Sequence, residues 1–91
     1  MSVHAGKVVH RLPSGHLIVF SHDRGYAIVV CDKYFKPNVL DLVEADWSRP
    51  EEQFVDFSGR KCQFAVLENC SDLVSALSKA RRFERQLAVS A

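Results

Sequence analysis

The sequence predicts an α+β domain. A three-strand antiparallel meander is followed by a β-hairpin in the C-terminal half, and a C-terminal α-helix packs on the sheet, giving two layers in the order βββ-(α)-ββ-α. Three observations predict this. Short runs rich in β-branched residues, KVVHRL, HLIVFS and YAIVVCD, are separated by glycine-closed turns. A second pair of such runs meets at Ser58-Gly59, and beyond Leu73 the apolar residues recur at helical spacing. With 91 residues the chain suits one domain, residues 1–91, with a modest core. Apolar content of 47% with 25% charged residues fits a folded chain and argues against disorder.

Strands are expected at residues 7–12, 16–21 and 26–32. LPSGH has proline at the second turn position and glycine at the fourth, which suits a type I turn closed by a left-handed glycine. HDRGY repeats that form. Three-residue loops then pair Leu12 with His16 and His22 with Tyr26. In KPNVLDLVEADWSRPEEQ, Asn38 is expected to cap a short helix with Val39, Leu40, Val43 and Trp47 on one side. An irregular fourth strand is the competing reading. Ser48 with Glu51 offers a further capping box.

The second hairpin, residues 53–57 and 61–67, is decided by its side-chain pattern. A two-residue loop puts Val55, Phe57, Cys62, Phe64 and Val66 on one face, whereas a slip of one residue would mix Asp56 and Arg60 with Phe54 and Phe64. For the C-terminal helix, Asn69 with Asp72 reads as an acidic capping box. Leu73, Leu77, Ala80, Phe83 and Leu87 form the apolar stripe, with Lys79, Arg81, Arg82 and Arg85 opposite and in the last turns.

In this register His10 and His16 are diagonal neighbours at ~7 Å, with Asp32 opposite His16. Two imidazoles and a carboxylate can hold zinc with an open position. Without a spacing such as HExxH, the cluster is expected to be structural, so no metal ligand is assigned. His22 belongs to no cluster. No glycine-rich phosphate loop, paired carboxylates or Ser/His/Asp order stands out, so neither catalysis nor a cofactor is expected.

Net charge of +1 hides a segregation. Residues 1–36 carry +3, residues 37–57 carry −5 with Arg49 as the sole base, and residues 58–91 carry +3. Three cysteines without CxxC spacing read as reduced, buried thiols of a cytoplasmic protein. The longest apolar runs fall far short of the roughly 20 residues that span a bilayer, and MSVHAGKVVH lacks the apolar core of a secretory signal. No membrane association is expected.

Both faces of the meander are apolar, and one helix covers only one of them. The other needs the 38–47 segment, closure into a small barrel, or another molecule. The expected function is therefore a small non-catalytic protein-interaction module: an adaptor, an inhibitor, or a self-associating subunit forming a homodimer. The partner-binding residues this selects are Asp41, Glu44, Asp46, Trp47, Arg49, Arg81, Arg82 and Arg85, with Trp47 reading equally as a core lid. The alternative is a nucleic-acid-binding domain using the basic C-terminal helix. It is less favoured because the acidic segment repels phosphate.

Overall fold

The two apolar faces of the meander are covered by different means, and this difference sets the architecture. The computed structural model describes residues 3–90. Strands β1 (His4–Arg11), β2 (Leu17–His22), β3 (Gly25–Cys31), β4 (Leu42–Ala45), β5 (Gln53–Phe57) and β6 (Arg60–Cys70) precede helix α1 (Leu73–Ser90). All pair antiparallel in one sheet of order β4-β1-β2-β3-β6-β5. The sheet curls until its terminal strands β4 and β5 touch, so one face becomes the interior of a nearly closed barrel. Helix α1 lies outside it, against β2, β3 and β6. The α+β class is as expected, while a near-barrel with an external helix replaces the simple two-layer stack. Among the described residues no helix is long and apolar enough to cross a membrane.

The interior is aromatic. Phe20 lies 4.8 Å from Trp47 and 6.2 Å from Phe64, and Phe35 lies 5.7 Å from Phe64, all ring centre to ring centre. Val8, Ile18, Val29, Val43, Val55 and Cys62 complete this core. The outer cluster is built from Leu12, Leu17, Val19 and Ile28 of the sheet against Ala76 and Ala80 of α1. Alanine at both contact positions lets the helix approach closely. As a result the stripe is rotated from the expected one: Ala76 and Ala80 are fully buried, Leu77 and Phe83 are half-buried, and Leu73 and Leu87 are 37% and 39% exposed.

Three local expectations change. Ser21 pairs with Tyr26 and His22 with Gly25, so the β2–β3 loop has two residues, Asp23 and Arg24. Gly25 is taken up where β3 crosses the end of β6: a Cβ there would stand 2.4 Å from the Cys70 carbonyl oxygen, and its φ is +137°. The slip turns Ala27 and Val29 inward beside Ile18 and Phe20, whereas the expected pairing of His22 with Tyr26 would put Ile28 and Val30 there. In the first hairpin the Leu12 N–H donates to Leu17 O at 3.0 Å, which makes the loop one residue longer, although Gly15 is left-handed as expected (φ 82°). An irregularity between Val8 and His10 shifts the register of β1. Val8 therefore faces the interior while Leu12, of the same parity, faces α1.

The segment after Asn38 is a strand, not a helix. A turn closes at once, with Asp41 N–H donating to Asn38 O at 3.0 Å, and Leu40 takes a left-handed φ of 80° that no helix continues. β4 then alternates, with Leu42 and Glu44 outward and Val43 and Ala45 inward, paired to β1 from His4↔Ala45 to Lys7↔Leu42. Ser48 and Glu51 form no helix either; the Asp46 carboxylate accepts from Ser48 N–H at 3.2 Å and from its hydroxyl at 2.8 Å. The cap of α1 is Asp72, whose carboxylate accepts from Ser75 N–H at 2.8 Å. Asn69 lies in β6. The β5–β6 hairpin has the expected register, Val55↔Cys62 and Phe57↔Arg60, with the expected face inward.

Candidate partner-binding surface

The barrel is open at one place. β4 has a ladder only with β1 and β5 only with β6, and among the described residues no ladder joins β4 to β5. One end of this seam is stitched by a side chain. Gln53, buried at 8% exposure, accepts from Asp46 N–H through Oε1 at 3.0 Å and donates from Nε2 to Asp46 O at 2.9 Å. Its amide thus supplies the donor and acceptor that a peptide group of a neighbouring strand would supply. Beyond the stitch lie two adjoining clefts. One, of about 380 Å³, is lined by Val3, Glu44, Arg49, Phe54 and Asp56 among others. The second, of about 340 Å³, is lined by Ala5, Leu42, Val43, Glu44 and Asp56.

The rim of the seam is apolar and exposed. Leu42 and Phe54 on it are 65% and 67% accessible, and Leu40, in the turn before β4 and outside both clefts, is 68% accessible. Leu40 is held there by the backbone: its N–H donates to Val8 O at 2.8 Å, Val8 N–H donates to Asp41 O at 3.0 Å, and Asn38 N–H donates to the Asp41 carboxylate at 2.8 Å. A leucine at positive φ carries a steric penalty of about 1–2 kcal/mol. Glycine or asparagine would avoid most of it.

Of the residues selected from sequence, Asp41, Glu44, Asp46 and Arg49 fall on β4 and its flanking turns, with Arg49 3.7 Å from Glu51. Asp46 titrates below the ordinary carboxylate range because the Ser48 hydroxyl and N–H hydrogen-bond to it. Trp47 is buried at 3% exposure, its indole N–H donating to His4 O at 2.9 Å, and it packs over Gly6, where a Cβ would stand 2.2 Å from the ring. It is the lid of the core. Arg81, Arg82 and Arg85 are exposed on α1, which covers β2, β3 and β6, so they do not join the acidic residues of β4. The helix runs past them and its last turn holds no basic residue, so complementing the helix dipole does not account for them. Lys79 is taken up by an ion pair with Glu68.

The histidine–aspartate cluster does not assemble as a site. The Asp32 carboxylate accepts from Gln63 N–H at 3.0 Å, Tyr34 N–H at 2.9 Å and Phe35 N–H at 3.1 Å, and these bonds, Gln63's foremost, hold its pKa below the usual value. His16 Nδ1 lies 3.4 Å from Cys31 O. Among the described residues no three His, Cys, Asp or Glu side chains are grouped to hold a metal ion. The Cys31 thiol is pushed up to about 12 by burial and then by Asp32, and burial raises Cys62 and Cys70 as well. None is an activated nucleophile.

The histidine that does gain partners is His22, which sequence reasoning left alone. Its ring stacks on Trp47 at 5.8 Å and bonds Asn69 Oδ1 through Nε2 at 2.8 Å, while Asn69 Nδ2 donates to Trp47 O at 2.8 Å. This network floors a cleft of about 200 Å³ at the barrel mouth, bordered by His4, Arg24 and Ser48. Its polar groups are spent on one another, tying β2, β6 and the β4–β5 connection together. No known family, curated protein or solved structure matches this chain.

Proposed function

We propose that this chain is a small, non-catalytic, cytoplasmic protein-interaction module whose partner surface is the apolar and acidic rim of the β4–β5 seam. Leu40 carries the reading. It is a leucine in a left-handed conformation, 68% exposed, in the turn that leads into β4 and its exposed Leu42. A strained residue with most of its surface in water points to a role outside the fold. Asp41 and Glu44 beside it supply charge that steers a cationic protein surface, while Leu40, Leu42 and Phe54 supply the contact.

The test compares the wild-type chain with Leu40→Gly by thermal melting, light scattering after size exclusion, and pull-down from a native lysate. Leu40→Gly relieves the positive φ and leaves stability unchanged or raised by about 0.5–1 kcal/mol, the steric relief less the entropy cost of glycine. It also loses the captured or self-associated partner. A variant that is less stable and still binds overturns the proposal.

A second reading has its own observation. Arg81, Arg82 and Arg85 stand exposed in mid-helix without a role in capping, which favours a nucleic-acid surface on α1. It predicts binding of DNA or RNA that weakens steeply with salt and is lost in Arg82→Glu/Arg85→Glu, with Leu40→Gly indistinguishable from wild type.

A further inference from the structure

We infer that the β4–β5 seam receives an extended, cationic peptide segment, which adds as a strand to the free edge of β4. This rests on the reading of the chain as a protein-interaction module and names the kind of partner.

Backbone geometry is the first ground. An unladdered strand edge leaves N–H and C=O groups directed outward, and proteins usually cover or pair such edges. Here the pairing is begun and not finished. The Gln53 amide occupies the strand-like position opposite Asp46 N and O, at 3.0 and 2.9 Å, and among the described residues no ladder to β5 follows along Leu42–Ala45. What fits beyond the stitch is more backbone, because only a peptide presents donors and acceptors at the repeat of a strand.

Side-chain chemistry is the second ground. Glu44 and Asp56 line both clefts and Asp46 lines one of them. The bases at the seam are already engaged: Arg49 lies 3.7 Å from Glu51, and Lys61 lies 3.7 Å from Asp56 in an exposed pair. Asp56 is in turn paired with Lys61, so Glu44 and Asp46 carry the uncompensated negative charge, and the incoming side chains are lysine or arginine. Leu42 alternates with Glu44 on the outer face of β4, as Phe54 does with Asp56 on β5. A segment with basic side chains on its outward side and apolar ones inward therefore faces Glu44 and Asp56 on both walls. The arginines of α1 do not qualify, since the backbone groups of a helix are already bonded to one another. The occupant is an extended segment.

A short peptide alternating valine and lysine is titrated into the isotope-labelled protein, alongside a valine–glutamate peptide and a valine–lysine peptide methylated at alternate backbone nitrogens. The lysine peptide slows amide exchange along Leu42–Ala45 and shifts the signals of Phe54 and Asp56. The glutamate and N-methyl peptides bind about tenfold more weakly or worse, and Glu44→Lys lowers affinity for the lysine peptide by about tenfold with an unchanged melting temperature, the scale of one or two lost charge contacts. Equal binding of the lysine and glutamate peptides, no binding, protection confined to α1, or a homodimer that buries the seam would each overturn the inference. Should a protein partner sensitive to Leu40→Gly still be captured when the lysine peptide fails, the strand inference falls and the interaction module stands. If no protein is captured either, both fall.

Discussion

The outer surface of the barrel carries apolar side chains on two sides, and the chain treats them differently. On β2 and β3, Leu17, Val19 and Ile28 are 0% exposed because α1 lies on them. Around the seam, Leu42 and Phe54 remain 65% and 67% exposed on strands of the same sheet. Both sides have the strand pattern that calls for cover, and one helix reaches only one of them. What separates a core position from a candidate interface here is thus not residue type but whether the chain itself supplies the second layer. The seam side adds a strained leucine and an unfinished strand edge, neither of which the helix side has.

Three phenylalanines turn this comparison into a graded experiment. Phe64 is inside the barrel at 1% exposure, in contact with the Phe20, Phe35 and Trp47 rings. Phe64→Ala is expected to cost about 3–5 kcal/mol, the range for a fully buried aromatic. Phe83, a residue of α1 half-buried against the outer cluster, stands between inside and bare surface. Phe83→Ala is expected to cost about 1–2 kcal/mol, since only part of its area leaves water on folding. Chemical denaturation of both variants measures the ranking. A Phe83→Ala loss as large as that of Phe64→Ala would mean that the helix side is as much a core as the interior.

How far the sequence revealed these sides depends on what each residue touches. The β5–β6 hairpin is legible because one register alone puts Val55, Phe57, Cys62 and Phe64 together, a constraint internal to the hairpin. The β2–β3 register is not, since Gly25 answers to the Cys70 carbonyl, a neighbour 45 positions along the chain, rather than to its turn. β4 misleads because Val39, Leu40, Val43 and Trp47 fit a helical stripe as well as a strand; the ladder with β1 decides, and that ladder is long-range. The surplus of apolar faces was legible, and it pointed to a need for cover. The seam itself was not, because nothing in Gln53 as a letter distinguishes a stitch from a surface glutamine. Trp47 reads from its neighbours Asp46 and Arg49 as an anchor and equally as a core lid; the structure has the lid, set by Gly6 and His4, which the local sequence does not reveal.

The two sides are also stitched by groups of different titration behaviour. Beside the closed side, the Asp32 carboxylate links the end of β3 to β6 through Gln63 N–H, and its pKa is lowered from an ordinary value of 3.8. A carboxylate with a depressed folded pKa stabilises the fold above its unfolded pKa, and that stabilisation disappears as pH falls through the folded value. At the seam, the Gln53 amide does not titrate. Below about pH 4, then, the β3–β6 junction loosens while the Gln53 stitch keeps its bonds. Protection of the Gln63, Tyr34 and Phe35 amides, taken relative to their intrinsic exchange rates, should fall on acidification ahead of protection at Asp46. In Asp32→Asn the neutral-pH melting temperature falls and its slope below pH 4 flattens. An unchanged acid slope would show that the Asp32 bonds add nothing to folding.

The smallest expected change in stability is the most informative about function. Phe54 sits on β5 next to the inward Val55, yet it faces out at 67% exposure and borders the same acidic cleft as Glu44 and Asp56. Removing an aromatic ring that already stands in water creates no cavity, and no described neighbour loses buried area. Phe54→Ala is therefore expected to change folding free energy within about ±0.5 kcal/mol, as surface substitutions do. Its effect on association is expected to be the reverse, because an aromatic side chain at an interface centre carries binding energy out of proportion to its number, about 2 kcal/mol or more where it is a hot spot. Melting and partner affinity measured on the same preparation separate the two sides of the barrel: Phe64→Ala loses the fold and with it the partner, whereas Phe54→Ala keeps the fold and loses the partner alone. Should Phe54→Ala bind as the wild type does, the bare side of the barrel has no part in recognition, and the exposed arginines of α1 become the surface to test.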